Sequence, residues 1–196
     1  MWNQRYGAEA YAYGTEPNEF FRTALDGLPR PGRILLPAEG EGRNAVYAAG
    51  RGWQVNAYDQ SVAGRDKAMR LAKERGVSIR YEVAGHANAQ IETGAYDAAA
   101  LIFAHVHESQ RRAVHQRVCT ALAPGGILLL EAYSKAQLDF GTGGPPVAEL
   151  LYSLDAVRED FAALTIDSIE QIEAEILEGQ FHHGRGSVIR VRAHRP

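Results

Sequence analysis

Three groups of residues in this 196-residue chain could do chemistry. The first is Ala38-Glu39-Gly40-Glu41-Gly42-Arg43-Asn44. Glycines at a turn from a strand into a helix let the backbone fold tightly and let a ligand approach it. The helix start beyond them offers unpaired N–H groups and the positive end of a dipole. The second is Asp59, 17 positions after Gly42 at the end of the next strand-like run. A carboxylate there can accept both hydroxyls of a ribose, so the pair reads as a site for an adenosine-containing cofactor. Gly40-x-Gly42-x-x-Ala45 also fits the dinucleotide fingerprint, so the loop alone leaves a nicotinamide cofactor open. The third group follows later strands: His105 and His107, Glu131 and Tyr133, and His182, His183 and Arg185. These could exchange protons with a substrate or contact it. The histidines show no metal-ligand spacing, and no metal is expected.

Such residues act together only if the fold brings strand ends to one edge. Arg33–Pro37, Gln54–Tyr58, Val77–Val83, Tyr96–Phe103 and Ile127–Ala132 read as strands. Arg43–Arg51, Val62–Arg75 and Glu108–Leu122 read as the helices between them. In the second helix Ala63, Met69, Leu71 and Ala72 are the candidate buried positions. The alternation predicts βαβ units and a doubly wound α/β fold, a Rossmann-like sheet open to ligands at the carboxyl ends of its strands. A helix is expected at Asp155–Phe161. Leu164–Leu177 and Phe181–Ala193, split by Glu178-Gly179-Gln180, then read as a hairpin. The hairpin completes a seven-stranded sheet, parallel but for one antiparallel strand. Residues 1–30, rich in aromatics and turn formers, are expected as a helical extension packed on a single domain spanning 1–196.

Composition narrows the partners. A net charge of −3 gives no general attraction to nucleic acid or acidic lipid. No apolar run approaches membrane-spanning length, and the N-terminus lacks a signal-peptide layout, so a cytoplasmic enzyme with a small-molecule partner is expected. Cys119 is the one cysteine. It allows no intramolecular disulfide and, beside Val114 and Val118 on a helix face, reads as a structural thiol. His107 and His115 read as surface residues. A homodimer remains open.

Three features favour S-adenosylmethionine over a nicotinamide. The chain is too short for a dehydrogenase substrate domain, it ends in the hairpin pattern, and it carries Leu122-Ala123-Pro124-Gly125-Gly126 before its fifth strand. With Gly40–Ala45 and Tyr58-Asp59-Gln60-Ser61, these segments resemble class I SAM-dependent methyltransferases. Gly42-Arg43-Asn44 and the Glu178…His182-His183 tail are similar to the small tellurite-resistance and thiopurine-type branch. The resemblance implies S-adenosylmethionine as cofactor and S-adenosylhomocysteine as product. It places Gly40 and Gly42 at the methionine moiety, with Glu39, Glu41 and Asn44 in the same loop. Asp59 would hold the ribose, Gln60 and Ser61 would sit beside the adenine, and His86, Ala87 and Asn88 would contact its edge. Phe103, Ala104 and His105 would face the methionine end.

The chain departs from the family in having Leu36 where an acid is common, Ala38 where a first glycine is common, and Pro37 between them. Glu39 is the candidate to replace the acid. On the acceptor side His105, Tyr133, His182 and Arg185 are the catalytic candidates, and Tyr13, Tyr133 and His183 the substrate contacts. By analogy with the branch, the acceptor is a small nucleophile such as a thiol or chalcogenide. A nicotinamide-dependent oxidoreductase and a non-catalytic nucleoside-binding protein are the alternatives.

Overall fold

The structure is a computed structural model describing residues 2–196. Its strands are β1 (Arg33–Pro37), β2 (Gln54–Asp59), β3 (Arg80–Val83), β4 (Tyr96–Ile102), β5 (Leu122–Tyr133), β6 (Thr165–Glu178) and β7 (His182–His194). They form one sheet in the order β3-β2-β1-β4-β5-β7-β6. Only β7 is antiparallel to its neighbours, β5 and β6. The chain works outward from β1 to β3, then returns to lay β4 beside β1. Strand order therefore reverses between β1 and β4, which opens a crevice above their carboxyl ends.

Both faces of the sheet are covered, which is why its central strands are nearly continuous apolar runs. On one face Ile34, Leu36 and Leu129 pack with Phe21, Leu25 and Leu71. These come from α2 (Glu19–Asp26) and α4 (Val62–Glu74), with α3 (Arg43–Gly50) alongside. On the other, Leu35, Leu101 and Leu128 pack with Val118 and Phe161, carried by α5 (Glu108–Ala121) and the end of α6 (Leu154–Asp160).

Two burial expectations are corrected. The buried stripe of α4 is Gly64, Lys67, Ala68, Leu71 and Ala72, a 3.6-residue phase that turns Met69 outward (44% exposed) and leaves Ala63 half-buried. His115 is fully buried rather than at the surface. It stacks on Phe161 at 4.7 Å and bonds Asp160 at 2.9 Å. Cys119 is buried, and burial pushes its thiol up to about 11.

The N-terminal extension is less helical than expected. Only α1 (Trp2–Arg5) and α2 are helical. The stretch between them contains Gly7, Gly14 and Pro17, which break a helix, and Asn18 then caps α2 by accepting from Phe21 N at 2.8 Å. The β6–β7 turn packs onto this stretch. At Gly179 (φ 66°) a Cβ would meet Ala12 O at 2.6 Å, so only glycine fits there.

Candidate active site

Above the β1/β4 crevice lies a cavity of about 450 Å³, the size of a small-ligand site. Strand-end loops form one half of it. The N-terminal stretch, residues 143–146 and the β6–β7 turn form the other.

The β1 loop begins at Ala38, whose φ of 51° is the left-handed conformation a glycine would adopt without cost. The two glycines that follow answer to packing. A Cβ on Gly40 would sit 2.7 Å from the Tyr6 hydroxyl, and one on Gly42 would sit 2.4 Å from Ala68 Cβ. Gly40 borders the cavity. Gly42 does not, because it is turned toward α4, so its expected contact with the methionine moiety is withdrawn. Glu39 faces the cavity, and its Oε1 accepts from Ala45 N at 2.6 Å at the start of α3. Burial pushes its carboxyl up to about 7.

Asp59 stands at the tip of β2 on the cavity wall. Its Oδ1 accepts from Ser61 N at 2.8 Å and its Oδ2 from Gly40 N at 3.2 Å. These bonds fix the carboxylate and tie the two loops together. Each oxygen keeps a lone pair for a hydroxyl. Gln60 is beside it on the wall. Ser61 is not, because its Oγ caps α4, accepting from Gly64 N at 3.0 Å and bonding Asn3 at 2.7 Å.

Beyond β3 the wall is Ala84, Gly85 and His86. His86 Nδ1 lies 3.0 Å from the Tyr58 hydroxyl, and Arg117 fastens the loop through the carbonyls of His86 and Ala89. Ala87 and Asn88 are corrected outward. They lie exposed on a turn, with Asn88 N donating to Gly85 O at 3.0 Å.

At the tip of β4 Phe103 holds φ at 50°, and it, Ala104 and His105 line the cavity. Both ring nitrogens of His105 are committed. Nδ1 donates to Leu150 O at 2.8 Å, and Nε2 accepts from Tyr133 N at 3.3 Å. Burial lowers its pKa to about 4. A neutral ring with no free nitrogen is a wall, not a general base, and its catalytic role is withdrawn. Tyr133 lies behind Phe103, with centroids 4.7 Å apart, and outside the cavity lining.

The N-terminal stretch is clamped by a buried ion pair. Glu41 Oε1 accepts from Lys67 Nζ at 2.7 Å, and Oε2 from Ala12 N at 2.8 Å. Lys67 also reaches Ala10 O at 2.7 Å. Glu41, expected at the cofactor, thus spends its oxygens holding Tyr13 and its neighbours over the cavity. Asn44 does likewise, accepting from Asn18 N at 2.9 Å.

The hairpin closes the far side. His182 sits on the wall between Tyr13 and Phe103, with ring centroids at 4.4 and 4.6 Å. Its Nδ1 faces Glu178 Oε2 at 3.5 Å. Glu178 is also bound by Arg43 at 2.5 Å and Asn18 at 2.7 Å. His182 and Arg43 hold its pKa down to about 2 against the opposing effect of burial. Burial lowers the His182 pKa. Arg185 and His183 are corrected outward. Both are exposed, and Arg185 pairs with Glu173 at 2.5 Å across the hairpin, because alternation along β7 turns odd positions away from His182. Arg5, Tyr6 and Phe181 were missed as wall residues. The aromatic density of the first 30 residues was the signal for Tyr6, while Arg5 and Phe181 carried none.

Residues 34–126 match the family model for a methyltransferase domain. Over this stretch the chain is similar to a methyltransferase domain. S-adenosylmethionine is its methyl donor, and the nicotinamide reading falls. The matched stretch, from β1 to the start of β5, holds the strand-end loops that form one half of the cavity. Solved structures share the fold across the whole chain. One concerns conversion of a disulfide bond into a thioacetal group during echinomycin biosynthesis. It superposes with a TM-score of 0.80 at 20% identity, covering 98% of this chain and 87% of that one. TehB from Haemophilus influenzae gives 0.74 at 14%, covering 100% and 66%. The N-methyltransferase NodS from Bradyrhizobium japonicum WM9 gives 0.66 at 15%, covering 91% and 93%. Comparison with proteins of curated function finds no match. No helix of the described residues is long and apolar enough to cross a membrane.

The methyltransferase domain has residues that suit its cofactor. Asp59 has lone pairs for a ribose diol, and Gln60, Gly85 and His86 border the adjoining space. Glu39 offers a carboxylate near Gly40. Bound there, S-adenosylmethionine supplies an activated methyl on a sulfonium. The chain's own task is to orient a nucleophile in line with that methyl, exclude water and take up any proton the nucleophile must lose.

Proposed function

We propose that the protein methylates a small-molecule nucleophile, with a thiol or chalcogenide as the acceptor class, and that His182 is the base that receives its proton. The observation carrying this reading is the placement of His182. Among the described residues its Nε2 has no hydrogen-bond partner, its Nδ1 is turned to a carboxylate held ionised, and its ring lies on the cavity wall between two aromatic faces. A carboxylate behind Nδ1 fixes the tautomer that leaves Nε2 basic, the same logic as in hydrolytic triads.

The acceptor class follows from the surroundings. Tyr13, Phe103 and Phe181 present ring faces and edges that favour polarizable sulfur. A thiol ionises near pH 8.5, within reach of an imidazole, whereas an aliphatic hydroxyl does not. The N-terminal stretch that lies over the cavity supports a small molecule as the acceptor. The likeness to TehB and to a structure concerned with disulfide conversion supports the fold and agrees with this choice of panel.

The test is product formation from S-adenosylmethionine with thiols, selenide, tellurite under reducing conditions, phenols and amines. Thiols or chalcogenides are expected to turn over. His182→Gln should lower kcat on a thiol by about 10²–10⁴-fold and remove the corresponding limb of the pH–rate profile. Turnover of amines or phenols alone would overturn the acceptor class, and an unchanged pH profile in His182→Gln would overturn the base.

A further inference from the structure

We infer that the methyl acceptor carries an oxyanion group, a carboxylate in its smallest form, and that Arg5 receives it. The inference rests on the acceptor reading above and deepens it. It follows from the basic side chains on the cavity wall, taken in turn. Arg43 is spent on Glu178 at 2.5 Å and on Tyr13 O at 3.3 Å. His105 has both ring nitrogens committed. His86 faces the Tyr58 hydroxyl at 3.0 Å. His182 is turned to Glu178 and stands as the base. Arg5 is the remaining cation on the wall. Among the described residues no carboxylate lies within ion-pair distance of it.

What holds Arg5 is aromatic. Its guanidinium lies 4.8 Å from the ring centroid of Phe181 and 5.4 Å from that of Trp2. Ring faces attract a guanidinium without consuming its N–H groups. Its one hydrogen bond among the described residues goes to the Tyr13 hydroxyl at 2.9 Å. A guanidinium has five N–H donors in a planar fork, so most remain for a ligand. The fork matches a carboxylate, and its charge-assisted bonds are strong ones. The side chain is half-buried and is held in place by these contacts before a ligand arrives.

Its neighbours put it on the acceptor side. Tyr13 bonds Arg5 through its hydroxyl, while its ring lies 4.4 Å from the His182 imidazole. Phe181, which the guanidinium covers, directly precedes His182. The cation and the base are therefore one tyrosine ring apart on the same wall. A small molecule with its nucleophile at His182 brings its other end to Arg5. Toward the β1 loop the packing residue is Tyr6, against Gly40.

The experiment compares acids with their neutral amides in wild type, Arg5→Gln and Arg5→Lys. One pair is 3-mercaptopropionate and 3-mercaptopropionamide, the other 3-hydroxybenzoate and 3-hydroxybenzamide. The wild type is expected to favour the acid in kcat/KM by roughly ten- to hundredfold, carried mainly by KM. Arg5→Gln should bring that ratio close to one, and Arg5→Lys, which keeps the charge and loses the fork, should retain part of it. Thermal unfolding midpoints check that both variants are folded. A ratio near one in the wild type overturns the inference. So does a ratio that survives in Arg5→Gln, which would leave Arg5 an aromatic staple. Calorimetric titration with S-adenosylhomocysteine separates the other carboxylate in the site. Weaker binding by Arg5→Gln would assign Arg5 to the cofactor and overturn the inference as well. An acid preference in the hydroxybenzoate pair, with neither thiol turned over, would uphold Arg5 and overturn the thiol reading. Turnover of neither pair would overturn both.

Discussion

Ala38 and Phe103 hold φ near 50° at the tips of β1 and β4, the two strands that flank the crevice. In this region a Cβ crowds the backbone at a cost of about 1–2 kcal/mol. The cost is concentrated where the cavity wall must turn sharply away from the sheet. Ala38→Gly removes it while adding backbone entropy to the unfolded chain, so a net gain of roughly 0.5–1 kcal/mol is expected. Urea unfolding measures it, and a loss of stability would show that the Ala38 methyl makes contacts worth more than the strain. Asp59 is the residue whose removal should cost most in binding. Asp59→Ala deletes the ribose acceptor and also frees the Gly40 and Ser61 N–H groups, so roughly hundredfold weaker S-adenosylhomocysteine binding is expected, together with a lower unfolding midpoint. Asp59→Asn retains one acceptor oxygen and should fall between. Equal affinity in all three proteins would remove Asp59 from the cofactor site.

At the scale of elements, the N-terminal stretch becomes cavity wall because of one buried pair, Lys67–Glu41, both side chains under 5% exposed. Lys67→Met leaves Glu41 buried without its cation, and a loss of about 3–5 kcal/mol is expected in urea unfolding. The double variant Lys67→Met, Glu41→Gln should recover part of it, because no uncompensated charge then remains. An additive double variant would mean that the two side chains act separately. This pair also marks the limit of what the sequence shows. The strands, the β1 loop and Asp59 were legible because they follow local rules: apolar runs in a doubly covered sheet, glycines at a strand–helix turn, an acid at a strand end. Lys67 was not, since a lysine on a helix reads as solvated until a partner 26 positions away is placed beside it. Met69 drew the buried stripe off phase for the same reason. Asn88 was expected on the site because the family resemblance puts the segment after the third strand at the adenine edge, while the turn that carries it outward was not visible. Arg185 was displaced by the alternation of β7, whose register was not fixed before the hairpin was seen.

Across the whole molecule the two halves of the cavity have different origins. Residues 34–126 supply the strand-end half and match a known domain, while residues 2–14, 143–146 and 181–182 supply the half that lies over it. Both halves bury titratable groups, so stability should record them as pH changes. His105 is depressed to about 4, so the fold binds its proton less readily than the unfolded chain, and stability falls as pH drops from about 6.5 to 4. His86, His115 and His182 are also lowered by burial and act in the same direction. Glu178, depressed to about 2, contributes stability above its ordinary range that is lost as pH falls from about 4.5 to 2. Glu39 opposes them. Its carboxyl, raised to about 7, is held neutral in the fold, so stability grows as pH drops from about 7 to 4.5. Four histidines together outweigh this one carboxyl, so the wild type should lose stability as pH falls below about 6.5. Glu39→Gln removes the opposing group. Its stability should exceed the wild type's by an amount that shrinks as pH drops from 7 to 4.5, the change reaching up to roughly 3 kcal/mol. Urea-unfolding free energies for both proteins between pH 3 and 8 measure that difference. Parallel curves would mean that Glu39 ionises normally in the fold. The cavity would then already satisfy its charge, leaving none to be met by a ligand.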